Sequence, residues 1–188
     1  MNAASEVIFR DLHQRGQARL SAMREALASH QERPHHHLRI LPSHFPLGPA
    51  SDALAAAAPA GGGCIYYVRA NSDADAALCW DAFRAARHRE RDRPQRDRKK
   101  FAKVNKPGSR YLYVGSCTHH MPRDRLNEHL GRRPSTFSLR LAEWFPPLDI
   151  GIDFVFNLYQ DTDPALVKIL EATLWDELQP MFGQNSRR

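Results

Sequence analysis

The stretches CIYYVRA (Cys64–Ala70) and RYLYVGSC (residues 110–117) are the two runs on which the fold turns. Both are dense in β-branched and aromatic residues, the composition of strands packed against a core. A third run, IDFVFNLYQ at residues 152–160, alternates well enough to join them in a sheet. Between the first two lies DADAALCWDAFRAAR at residues 73–87, which puts Ala76, Cys79, Trp80 and Phe83 on one helical side. After the second, RDRLNEHLG predicts a short helix closed by Gly131, and STFSLRLAEWF from Ser135 predicts another, stopped by Pro146 and Pro147. DPALVKILEATLWDEL predicts a long closing helix with Asp163 as its N-cap and Pro164 in its first turn. The expected fold class is α+β, a small three-stranded antiparallel sheet flanked by helices.

Outside this core the pattern weakens. Residues 5–31 carry Val7, Ile8, Leu12, Leu20, Met23 and Leu27 at spacings that predict an amphipathic helix interrupted near Gly16. Residues 34–63 hold several prolines, an Ala-rich run, three glycines and the triplet His35, His36 and His37, and read as linker. Adjacent histidines on an irregular segment lack tetrahedral ligand spacing, so the triplet reads as surface. The expected division is therefore an N-terminal helix and linker over 1–60 and a main domain over 61–188, with a helical basic insertion at 70–109.

The chain has 188 residues, 42% hydrophobic and 26% charged, which excludes disordered and collagen-like classes. Its formal net charge is +6. Between Phe83 and Arg110 twelve Lys or Arg face only Glu90, Asp92 and Asp97, so this segment holds the whole surplus and the rest of the chain nets −3. Such a run favours a polyanionic partner, and Arg96, Arg98, Lys99, Lys100, Lys103 and Lys106 are its candidate phosphate contacts. No apolar stretch approaches the roughly 20 residues of a membrane span. Glu6, Arg10, Asp11 and Arg15 leave no apolar core for a secretory signal, and a cytoplasmic location is expected. Cys64, Cys79 and Cys117 have no C-x-x-C spacing and read as free thiols.

Three features carry chemistry. Glu171 falls inside the apolar stripe of the closing helix defined by Val167, Leu174 and Leu178, where a carboxylate must be paired, hydrogen-bonded or bound to a metal. Arg125 and His129 are four apart on a helix and leave the same face. An Arg there can clamp a phosphate with its guanidinium fork, and a His can move a proton. Tyr66 and Tyr113 lie on neighbouring strands, where tyrosines alone are common fillers.

In order, CIYYV at residues 64–68, YVG at 113–115, Arg125, Glu171 and Asn185 resemble the signature of the GIY-YIG nuclease superfamily, over about residues 62–185. The Arg125 and His129 spacing is similar to its restriction-endonuclease branch. Three departures stand out: Cys64 replaces the usual first Gly, 46 residues separate Tyr66 from Tyr113, and Ser116 follows YVG where many members carry Lys nearby. Lys103 or Lys106 is then a candidate to supply a lysine. The resemblance implies that Glu171 holds one Mg²⁺ or Mn²⁺, that Arg125 clamps the phosphate, that Tyr66 or Tyr113 handles the attacking water with His129 as rival base, and that Asn185 completes the network. It implies a metal-dependent endonuclease acting on DNA in preference to RNA, with a homodimer as one possible assembly. The alternative is a catalytically inactive nucleic-acid-binding module on the same fold, and a third reading makes the basic segment a protein-interaction element.

Overall fold

Four strands form one antiparallel sheet in the order β1-β4-β2-β3: β1 His36–Ile40, β2 Cys64–Ala70, β3 Tyr111–Cys117 and β4 Ile152–Leu158. This computed structural model describes residues 3–29, 35–61, 63–118, 121–133, 136–159 and 162–185. Five α-helices accompany the sheet among those residues: α1 Ala3–Ser29, α2 Pro49–Ala56, α3 Asp73–Arg91, α4 Pro122–Leu130 and α5 Pro164–Leu178. None is long and apolar enough to cross a membrane. The α+β class is as expected, but the sheet has four strands rather than three.

The added strand comes from the segment read as linker, and residues 34–188 form one unit while residues 1–33 form another. Prolines and the histidine run disguise a short alternation in HHLRI. Ile40 turns into the core and is fully buried, while His37 and Arg39 lie on the other face and meet Asp153 of β4 at 3.0 and 2.6 Å. Arg69 of β2 reaches the same carboxylate at 3.3 Å, so one buried acid ties three strands together. Burial alone would raise the Asp153 pKa, but hydrogen bonds from Arg39 and His37 outweigh it and hold the carboxyl below its ordinary range.

The helix ends follow local chemistry. Ser72 accepts the Asp75 amide at the start of α3 and Asp163 accepts the Ala165 amide at the start of α5. Gly131, at φ 108°, closes α4 as its sequence predicts. Within its own unit α1 runs without a break through Gly16, because the helix formers around a single interior Gly outweigh its cost of about 1 kcal/mol. Gln31, Pro34, Gly62, Ser135 and Gln160, which bounded sequence-based expectations, lie outside the described residues.

The predicted helix from residue 135 is instead an irregular buried strap with one 3-10 turn, Leu141–Glu143. Its apolar residues point in several directions, with Leu139, Leu141, Trp144 and Phe145 all buried, so no exposed helix face exists. Arg140 adopts φ 54°, which breaks any helix, and its guanidinium donates to the carbonyls of Arg133 and Gly131 just past α4. The strap is zipped to the insertion: Ala102 N–H donates to the Ser138 carbonyl at 2.8 Å.

The edge of β3 is covered by the C-terminal tail. Met181 and Phe182 amides donate to Tyr111 and Leu112 carbonyls at 2.9 Å each, and Asn105 N–H and the Lys103 carbonyl bond the tail's other side. Cys64 and Cys117 face each other in the β2–β3 register with Cα atoms 5.2 Å apart and are joined as a disulfide, which corrects their reading as free thiols. Cys79 is free and buried, and burial pushes its thiol up to about 12.

Phe182 has no exposed surface and stacks between Phe83, at 4.0 Å between centroids, and Trp80, at 5.6 Å. Phe182→Ala is expected to destabilise the chain by about 3–5 kcal/mol in urea unfolding. A loss under about 1 kcal/mol, the scale of a surface change, would show that the tail is not part of the core.

Candidate functional site

Alternation along β2 and β3 puts Tyr66, Tyr113 and Gly115 on one sheet face, with Tyr66 directly opposite Gly115. The two phenol rings stack at 6.1 Å with 9° between their planes. Gly115 is required by this arrangement, since a Cβ there would stand 2.5 Å from the Tyr66 hydroxyl and 2.9 Å from the Tyr113 ring. Gly183 of the tail, at φ 104°, gives the Tyr113 ring its other boundary, 2.8 Å from where a Cβ would sit. The glycine of YVG is thus a steric condition of the tyrosine pair.

Helix α4 delivers Arg125 and His129 to the same hydroxyl. Arg125 donates from Nε at 3.3 Å and from a terminal nitrogen at 3.1 Å to Tyr66 Oη, and His129 Nε2 lies 2.9 Å from it. Leu139 N–H donates to His129 Nδ1 at 3.2 Å, so Nδ1 is an acceptor and Nε2 carries the proton in the neutral ring. Tyr66 Oη therefore faces N–H groups from both Arg125 and His129, the two Arg125 contacts sharing one side of the oxygen. Burial pushes the Tyr66 phenol up while Arg125 pulls the other way, and the balance leaves it a neutral phenol at pH 7. Tyr113 is raised for the same first reason. His129 is held well below its ordinary 6.5 by burial and then by Arg125.

Arg125 is oriented by Glu128, an i, i+3 ion pair that sequence reading did not single out. Its pKa is raised chiefly by Tyr66, against desolvation, so the guanidinium stays cationic. Its side chain is 16% exposed, and each of its three nitrogens has a partner in Tyr66 or Glu128. Spacing of Arg and acid along α4 was the available signal for Glu128.

Glu171 on α5 is buried at 5% exposure and accepts Ser116 Oγ at 2.7 Å and Lys168 Nζ at 2.9 Å, both on Oε2. Among the described residues Oε1 takes no hydrogen bond. Lys168 also donates to Ser116 Oγ at 2.9 Å. Glu171 is near enough to both phenols to oppose their ionisation. The lysine beside Ser116 is Lys168, three residues before Glu171, and Lys103 and Lys106 lie elsewhere.

Those two lysines line a cleft of about 670 Å³ with Trp175, Asp176, Gln179 and Asn185. Asn185 donates there to Asp176 Oδ1 at 3.2 Å. The structure therefore gathers Tyr66, Tyr113, Arg125 and His129 at one point, leaves Glu171, held by Ser116, within electrostatic reach of both phenols, and gives Asn185 a described bond elsewhere. Of the insertion's basic residues, Arg98 donates to the Arg91 and Arg93 carbonyls and finishes α3, and Lys99 pairs with Glu143. Arg96 is exposed beside Asp97, and Lys100 lies over the Phe137 ring.

Compared with known proteins, the chain matches no family model, no curated protein and no solved structure.

Neutral His129 sets a pH dependence. Its unfolded pKa is near 6.5 and its folded pKa lies well below, so as pH falls the unfolded chain binds the proton first; this contribution to stability is complete above about pH 6.5 and is lost below it, by up to about 1.4 kcal/mol per pH unit. His129→Gln keeps an acceptor and a donor without titrating. The stability gap between wild type and this variant should shrink between pH 7.5 and 5 in urea unfolding, and a gap that is constant with pH would contradict the assignment.

Proposed function

We propose that this chain is a nuclease of GIY-YIG type that hydrolyses phosphodiester bonds in DNA with a bound Mg²⁺ or Mn²⁺. The observation that carries the reading is the Tyr66 hydroxyl, buried and faced by N–H donors from Arg125 and His129, with the Glu171 carboxylate within electrostatic reach. The order of the motifs along the chain, recounted from Tyr66 to Glu171, supports it independently.

Hydrolysis of a phosphodiester needs charge neutralisation on the phosphate, a positioned water and help for the leaving oxygen. Arg125 supplies the first: its cationic fork, fixed by Tyr66 and Glu128, presents its remaining N–H groups to a phosphate oxygen. Tyr66, with no exposed surface, anchors the Arg125 fork through its oxygen, and Tyr113, stacked on it and at 9% exposure, is the phenol that can face the attacking water. His129 holds Tyr66 in this orientation; with Nε2 protonated and Nδ1 engaged it serves as a donor in place of the rival base. Tyr113 is the second phenol against the same Arg.

The donor set at Glu171 fits a hard divalent cation, which takes few protein carboxylates and completes its shell with water and phosphate oxygens. Oε1 would be the atom free to hold the cation, while Ser116 and Lys168 hold Oε2 and so fix the carboxylate's direction. Bound there, the cation supplies charge neutralisation at the scissile phosphate and acidifies water. Lys168 adds a second positive charge on the same side.

Purified protein is expected to nick supercoiled plasmid with Mg²⁺ or Mn²⁺ and not with chelator. Glu171→Gln, which preserves the Ser116 and Lys168 bonds, and Arg125→Lys, which loses the fork, should each lower the rate by about 100-fold or more with unfolding midpoints near wild type. Cleavage that survives in Glu171→Gln, or wild type that is inert under all these conditions, would sink the reading.

A further inference from the structure

Among the described residues of 34–188, Phe137 is the most exposed large apolar side chain, at 65%, although the next residue, Ser138, is buried. Lys100 Nζ lies 5.5 Å from its ring centroid. Beside it opens a cleft of about 390 Å³ whose walls include Arg87, Arg91, Arg98, Lys99, Lys100 and Phe137. The one acid of this cleft, Glu90, is buried and already binds the Lys99 amide and Arg93. Arg87, Arg91 and Lys100 make no ion pair among the described residues. Desolvation and then the neighbouring Arg91 lower the Arg87 pKa, so two guanidinium groups repel each other here. A flat aromatic face next to unmatched cations has the chemistry of a base platform beside a phosphate grip.

We propose that this surface seats an unpaired nucleotide, Phe137 stacking on its base and Arg87, Arg91 and Lys100 holding its phosphates. The seat rests on the nuclease reading and extends it to a class of substrate, nucleic acid with an unpaired stretch beside the cut. A duplex keeps its base faces stacked inside and offers Phe137 only an edge, whereas an unpaired base offers its whole face. The seat is also mechanically joined to the tyrosine cluster. Phe137 is two residues, about 7 Å of extended chain, from Leu139, whose amide fixes His129. Between them Ser138 donates to the Glu128 carbonyl at 2.7 Å and accepts from Ala102 of the insertion.

The test measures binding alone, by fluorescence anisotropy of a labelled single-stranded oligonucleotide and of its duplex, on the Glu171→Gln protein in chelator. The single strand should bind more tightly than the duplex, and Phe137→Ala should weaken the single strand about tenfold while leaving the duplex nearly unchanged. Phe137→Trp should restore the affinity, and Lys100→Gln should flatten the salt dependence by about one charge. Equal affinity for both forms, equal loss in both with Phe137→Ala, or no binding to either would overturn the seat. Because neither metal nor cleavage enters, an inert wild type with this binding pattern overturns only the nuclease reading, and an active wild type without it overturns only the seat.

Discussion

A phenol with no exposed surface must find its hydrogen bonds inside the protein, and Tyr66 imposes that condition on most of the molecule around it. Its oxygen needs donors, so α4 must present Arg125 and His129 one turn apart. His129 can donate only if its other nitrogen accepts, so the strap must bring the Leu139 amide to Nδ1. Arg125 must not swing away, and Glu128 holds it. The opposing strand must leave room for the hydroxyl, and only Gly at position 115 does so. Segments from β2, β3, α4 and the strap are thus tied together around one oxygen atom.

The parts of this arrangement that were legible in the sequence are those set by local rules. Strand composition marked β2, β3 and β4, while Gly131 and the Asp163–Pro164 pair marked helix ends to within a residue or two. The i, i+4 spacing of Arg125 and His129 placed them on one face, and the structure puts both on one hydroxyl. What stayed hidden depends on pairing across long sequence distances. β1 has too few residues to show a period, and its stability comes from Asp153, more than a hundred residues on. The strap after α4 has helical composition, yet its buried Leu139, Leu141, Trp144 and Phe145 point in several directions, which no single helix face accommodates. Cys64 and Cys117 are 53 apart and meet only through the β2–β3 register. Lys168 was readable as an i, i+3 partner of Glu171, but nothing local connects either to Ser116 of β3.

The basic segment divides into two populations that composition cannot separate. Arg98, Lys99 and Arg93 are engaged with carbonyls and acids of the fold, and removing them would loosen the insertion before it touched any partner. Arg87, Arg91 and Lys100 have no such engagement among the described residues. A count of positive charge therefore overstates the charge available for a polyanion, and three of the cations it leaves unmatched line one cleft with the exposed Phe137 ring.

The same segment poses a topological difficulty, because it opens what would otherwise be a short β2–β3 hairpin and so removes the turn that normally sets register. The structure replaces the turn with contacts at both ends of the pair. At one end Cys64 and Cys117 are covalently joined, and at the other the Ala70 amide donates to the Arg110 carbonyl at 2.9 Å. The insertion's return path is then bound to the tail through Lys103 and Asn105, and the tail to β3 through Tyr111 and Leu112, which brings Phe182 into the core and Gly183 against Tyr113. Register decides which face of the sheet Tyr66 and Tyr113 occupy, and a slip of one residue would send each to the α5 side. The long insertion is therefore compatible with the tyrosine pair only because the tail returns to the strand that the insertion releases.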